Sequence, residues 1–206
     1  INFSIEYYKN ENEKLAEALF YKGRSYNYAN QYENATKCYM LALDNLKESH
    51  NYYLLAKVYS DLGRISLVQN ELGGAREKYE IAVFNFSKAG KSDKANFERI
   101  NIANTYRYEK KYAKAYELYQ NVLKNSSDSI TYGIVLQEIG INYYHQNSFD
   151  SSILYLRKSI GYPHLAFYQT IKLFRLADSY YELNQLDSAL IYAKKSLTFP
   201  ANLYNS

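Results

Sequence analysis

The sequence predicts an all-α fold built from about five stacked helix pairs. Three observations carry this. A pattern of small and aromatic residues recurs five times along the 206-residue chain. Two prolines and eight glycines are too few to punctuate a β-rich chain with many tight turns. The 26 tyrosines, with no tryptophan, suit helix–helix seams, where a ring is buried and its hydroxyl stays near water.

The recurrence is read from small anchor residues: Gly23, Gly63, Ala103, Gly140 and Ala177, spaced by 40, 40, 37 and 37 positions. Twelve residues after each anchor comes Ala35, Ala75, Ala115, Ser152 or Ala189. Sixteen after it comes Tyr39, Tyr79, Tyr119, Leu156 or Ala193. Nineteen after it comes Ala42, Ala82, Val122, Ser159 or Ser196. An aromatic residue or leucine, Leu-Gly, Tyr, Ala, aromatic and Ala at fixed offsets resembles the tetratricopeptide signature. The period is longer than that family's ~34 residues, and its closing proline has a counterpart only at Pro200. The resemblance implies a right-handed α-α superhelix, or solenoid, of about five tetratricopeptide-like helix pairs. It would form a single domain over 1–206 with repeats near 12–49, 51–90, 92–125, 128–161 and 165–200.

Within each unit the small anchor lets the second helix approach closely. First helices are expected over 12–29, 51–69, 92–109, 128–146 and 166–183. Second helices are expected over 32–48, 72–89, 112–124, 149–160 and 186–198. Polar pairs such as Asn30-Gln31, Asn70-Glu71, Lys110-Lys111 and Asn184-Gln185 supply the turns, since asparagine tolerates the left-handed conformation at a helix end. Asp150 and Asp187 fall in a first turn, where negative charge complements the helix dipole. Residues 1–9 read as the end of a preceding helix, and Gly161-Tyr162-Pro163 as a firm break. The start at Ile1, without a methionine, suggests a chain cut or processed from a longer protein.

Composition excludes several functions. A lone cysteine, Cys38, allows neither an internal disulfide nor a cysteine-based metal site. His50, His145 and His164 lie in different units without metal-ligand spacing, and no phosphate loop or nucleophile elbow is present. No metal, cofactor or catalytic residue is therefore expected, and no enzyme activity. No apolar run reaches the ~18–20 residues of a membrane helix. A formal net charge of +4, with both signs interspersed, is too weak to imply nucleic acid.

The resemblance implies a concave groove lined by the first helices. Carried onto this chain, the groove residues are Phe20, Arg24, Tyr28, Arg64, Asn104, Arg107, Tyr108 and Tyr144. The row one residue after each anchor runs from basic to acidic: Arg24, Arg64, Asn104, Ile141, Asp178. Arginine interleaved with aromatic rings is the chemistry of binding hot spots. The expected function is a non-catalytic scaffold for a protein or peptide partner, with an acidic segment held by Arg24 and Arg64. The competing expectation pairs those arginines with neighbouring carboxylates. The alternative function is the sensory or regulatory region of a larger bacterial signalling protein, in cytoplasm or periplasm. Self-association through uncapped array ends is a further expectation. The Lys and Asn placement of the chaperone-binding carboxylate clamp is not reproduced at Phe20 and Arg24.

Overall fold

The structure is a computed structural model that describes residues 11–162 and 166–198. Among the described residues the chain forms ten helices and no strand. They are α1 (Asn12–Tyr28), α2 (Tyr32–Asn45), α3 (Tyr52–Val68), α4 (Leu72–Lys88) and α5 (Ser92–Tyr108). There follow α6 (Tyr112–Asn125), α7 (Ser129–Tyr144), α8 (Phe149–Ile160), α9 (Ala166–Glu182) and α10 (Leu186–Thr198). The expected helix at residues 1–9, Pro163, His164 and Pro200 lie outside the described residues.

The expected boundaries are met to within three residues, because the turn chemistry recurs. Asn30, Asn70, Lys110, Asn147 and Asn184 all have φ between 56° and 61°. Each is flanked by the same pair of backbone bonds. At the first turn the Gln31 N–H reaches the Tyr26 carbonyl and the Asn30 N–H reaches Asn27. This motif satisfies helix carbonyls that would otherwise lack donors. Gly90, with φ 68°, closes α4 in the same way. Asn51 accepts from the Leu54 N–H to start α3, and Asp128 accepts from Ile130 and Thr131 to start α7. Helix α2 ends at Asn45 rather than 48, because the Leu46 N–H turns back to Leu43 while the Leu46 side chain is buried.

The chain divides into two compact units, residues 1–105 and 106–206, with the boundary inside α5. In the first unit α1 packs on α2 and α3 on α4, and α3 also touches α1 and α2. Its core joins Ala16, Leu19 and Phe20 to Ala35, Tyr39 and Ala42, and then to Leu54, Val58 and Leu62. Ala56, Ala82, Phe86 and Ala95 bring α3, α4 and α5 together. In the second unit α7 packs on α8 and α9 on α10, and α9 also touches α7 and α8. Ile141, Leu156, Leu176, Tyr180 and Ala189 form its core.

In three of the pairs the close contact is the one the repeat implies. A Cβ built on Gly23 would meet the Tyr39 ring at 2.6 Å, and one on Gly63 the Tyr79 ring at 2.7 Å. In the second unit a Cβ on Gly140 would meet Leu156 at 2.7 Å. These contacts fall on either side of a short turn, so the two helices run antiparallel. In the last pair Ala193 replaces the large residue. There the surface keeps a hollow of about 340 Å³ lined by Phe174, Ala177, Tyr181, Leu186, Ala189, Leu190 and Ala193, with Asp178. Lys172 departs from the apolar pattern. It is wholly buried, its Nζ donates to the Ser159 carbonyl at 2.9 Å, and burial pushes its pKa down to about 7.

Gly63→Ala should lose about 1–2 kcal/mol in urea unfolding, because the buried Tyr79 ring cannot yield to the added methyl. Gly73→Ala, with nothing within 4 Å of the new atom, should instead gain about 0.5 kcal/mol from reduced unfolded-state entropy. Lys172 binds its proton more weakly folded than unfolded, so stability should rise as pH climbs from about 7 towards the ordinary lysine range. Lys172→Met should flatten that rise and add about 1–2 kcal/mol near pH 6.5, where the buried charge costs most.

Candidate functional site

The first unit carries a surface cavity of about 270 Å³ where α1, α3 and α5 face one another. Its walls are Phe20, Phe86 and Phe97, and its polar groups are Arg24, Lys57, Ser60, Asp61, Lys94 and Glu98. The helical period places these residues. Phe20 and Arg24 are one turn apart on α1, Lys57 and Asp61 one turn apart on α3, and Lys94 and Glu98 one turn apart on α5.

Asp61 is the electrostatic centre of this face. Its Oδ1 accepts from Arg64 Nη2 at 2.9 Å, and Arg24 Nε lies 3.8 Å from its Oδ2. The hydroxyl of buried Tyr39 donates to the same Oδ2 at 2.9 Å. Arg24 also donates to the Tyr28 hydroxyl and lies over the Phe20 and Tyr28 rings, 5.8 and 5.4 Å from their centroids. Both arginines expected to bind a ligand's acid therefore already serve one carboxylate.

The lysines are placed otherwise. Lys57 Nζ lies 4.5 Å from the Phe20 centroid, 5.3 Å from that of Tyr21 and 5.2 Å from that of Tyr53. Burial lowers its pKa from the ordinary lysine value. Lys94 is exposed. Neither lysine is within ion-pair distance of a described carboxylate. Glu98 is buried, accepting from Ser60 Oγ at 2.7 Å and from Asn101 Nδ2 at 3.1 Å. Burial raises its carboxyl pKa, against the lowering effect of these two bonds.

The remaining expected groove residues differ in depth. Phe20 is only 2% exposed, whereas Tyr28 is 70% exposed and available to a partner. Asn104 is half-buried on α5. In the second unit Arg107 is buried and its Nη2 meets Glu138 Oε2 at 3.0 Å. Its guanidinium stands 5.4 Å from the centroid of the exposed Tyr108 ring. Tyr144 is half-buried beneath the Arg175 guanidinium, 5.0 Å from its centroid, and Arg175 in turn pairs with Asp178 at 3.3 Å. Fixed offsets gave no signal for Lys94, Phe86 or Glu98 as cavity residues. Phe86 lies on a second helix, and the other two lie outside the offsets carried over from the family.

No group of three or more His, Cys, Asp or Glu able to hold a metal is present among the described residues. Nor is any described helix long and apolar enough to cross a membrane. Cys38 is buried, and burial raises its thiol pKa, as suits a packed small residue.

Helix pairs closed by a small residue against a large one, with the first helices lining a charged and aromatic face, define a tetratricopeptide-like repeat protein. A tetratricopeptide repeat model matches residues 173–202. The model described as soluble NSF attachment protein, SNAP, matches residues 4–141, well over half of the chain, and the chain belongs to that family. Families of this kind are protein-interaction scaffolds. No curated protein matches the sequence. Among solved structures, BtubC from P. vanneervenii aligns at 17% identity and a TM-score of 0.74, covering all of this chain and 88% of that one. The Rap conjugation gene regulator of plasmid pLS20, in complex with a Phr peptide, aligns at 12% identity and a TM-score of 0.78. That alignment covers 95% of this chain and 56% of the regulator. A signal transduction ATPase with a tetratricopeptide repeat sensor, from Pyrococcus horikoshii, aligns at 16% identity and a TM-score of 0.73 over 90% of this chain and 30% of that one. At these identities the likeness establishes the fold.

Arg107 carries a structural load that its sequence position does not reveal. Arg107→Met should leave Glu138 buried without its cation and cost about 3 kcal/mol in chemical denaturation. Tyr108→Ala, on the exposed neighbour, should change stability by less than about 0.5 kcal/mol.

Proposed function

We propose that the chain is a non-catalytic scaffold that holds a peptide or an extended protein segment on the inner face of its first unit. One observation carries this: the cavity between α1, α3 and α5 combines three phenylalanine walls with cations and anions, in an arrangement without a nucleophile–base pair. Apolar walls with a few placed polar groups suit a ligand side chain, and exposed Tyr28 extends the surface beyond the cavity. The peptide-bound Rap regulator, of similar fold, supports the same reading.

A second reading concerns context. The chain aligns with 56% of the Rap regulator and with 30% of the sensor-bearing ATPase. Within that reading the same face would receive a signal peptide or a neighbouring segment and pass its occupancy to an output region.

The test is retention of a displayed peptide library by the purified chain, compared with Ser60→Arg, whose side chain fills the cavity. We expect a defined set of sequences whose affinity falls more than about tenfold in the variant. Retention that ignores the substitution, or no retained sequence, would remove the reading.

A further inference from the structure

We propose that the cavity of the first unit reads an acidic residue of its peptide through Lys57 and Lys94, while Arg24 and Arg64 hold Asp61 in place. The inference rests on the peptide-binding reading above and names the chemistry of its ligand.

Charge on the inner faces divides into satisfied and unsatisfied groups. Arg24 and Arg64 converge on Asp61, Arg107 pairs with Glu138, and Arg175 pairs with Asp178. A guanidinium already held by a carboxylate gains little from a second one, which must displace the first or share it. Neither cavity lysine forms an ion pair with a described carboxylate; Glu17 and Asp61 attract Lys57 only from beyond ion-pair distance. Lys57 is positioned rather than mobile, since Phe20, Tyr21 and Tyr53 surround its ammonium and Phe20 is itself fixed in the core. Lys94 stands on α5 across the cavity from α3 and is exposed.

An incoming carboxylate would restore to Lys57 the solvation that burial withdraws, and burial lowers that lysine's pKa in the direction this predicts. Phe86 and Phe97 exclude water on one side, which strengthens a charge-assisted bond formed there. Glu98 lines the same cavity but is engaged by Ser60 and Asn101. Its raised pKa reduces its opposition to an anionic ligand. With Asp61 matched by two arginines, the cavity keeps an excess of positive charge. A glutamate or aspartate next to an apolar residue fits this combination, and a basic residue does not.

The test uses short synthetic peptides with leucine and phenylalanine flanks and a central Glu, Gln or Lys, titrated against the intact chain by fluorescence anisotropy. The wild-type protein should prefer the Glu peptide over the Gln peptide by about tenfold, and the preference should shrink as salt rises. Lys57→Gln with Lys94→Gln should abolish the preference. Lys47→Gln with Lys88→Gln removes two charges from exposed positions outside the cavity and should retain it. Circular dichroism establishes that each variant is folded. If the lysine double variant is not, Lys94→Gln alone, at an exposed position, should halve the preference or more. Equal binding of the three peptides would overturn the inference and leave peptide binding intact. A preference that survives the loss of both cavity lysines in a folded variant would overturn it too. Binding of no peptide below about 1 mM would remove both readings together.

Discussion

The structure depends on one steric contact, repeated: a residue with little or no side chain on a first helix receives a large one from the second helix, sixteen positions later. Gly23 seats Tyr39, Gly63 seats Tyr79, and Gly140 seats Leu156. The backbones approach because nothing stands between them, and the ring or leucine then fills the seam at close to crystal density. Tyr39, Tyr119 and Leu156 are wholly buried, and Tyr79 nearly so. Every other partner in the pattern except the half-buried Ala193 is buried as well. Where Ala193 stands in the last pair, the seam is not filled and an apolar hollow remains.

That contact also determines where polar chemistry can lie. Tyr39 carries its hydroxyl through the seam to Asp61 on the next first helix, so a core residue becomes a hydrogen-bond donor to the inner face. Asp61 then gathers Arg24 and Arg64. Glu98, reached by Ser60 from α3, ties the third first helix to the second. The Tyr39–Asp61, Arg24–Asp61 and Ser60–Glu98 links run between adjacent pairs, and Arg64 meets Asp61 within α3. In a stacked fold each element is stabilised mainly by its neighbours, so polar links of this kind couple position along the chain to the shape of the inner face. Buried ionic groups contribute specificity at a cost in desolvation, and the Arg107–Glu138 pair in the second unit is of that kind.

The turns were legible in the sequence for a local reason. Asparagine accepts φ near +57° at small cost, and four of the five positive-φ residues without a glycine are asparagines. Lys110 takes the same conformation without that excuse, and only its position in the repeat pointed to it. Helix pairing was legible because small and large residues recur at fixed offsets. The chemistry of the face was only partly so. Arg24, Arg64 and Tyr28 were placed on the correct helices, and the i,i+3 spacing of Asp61 and Arg64 marks a local pair, but nothing local indicates that Arg24 reaches the same carboxylate. For Arg24 the choice between a ligand and an intramolecular carboxylate is made across two helices, between residues 37 positions apart.

The sequence by itself determined the all-helical class, the five helix pairs, their turns and the residues that stand at the seams. These follow from period, offset and backbone preference, which act within a few turns of chain. Only the tertiary structure decided depth and charge. Phe20 and Arg107 sank into packing while Tyr28 and Tyr108 stayed in solvent, although all four lie on the helix faces that the repeat assigns to the groove. Burial depends on what the next helix covers. Net charge at a site depends on which opposite charges come within hydrogen-bond reach. Both are properties of neighbours in space, and a repeat pattern specifies those neighbours only as far as their kind.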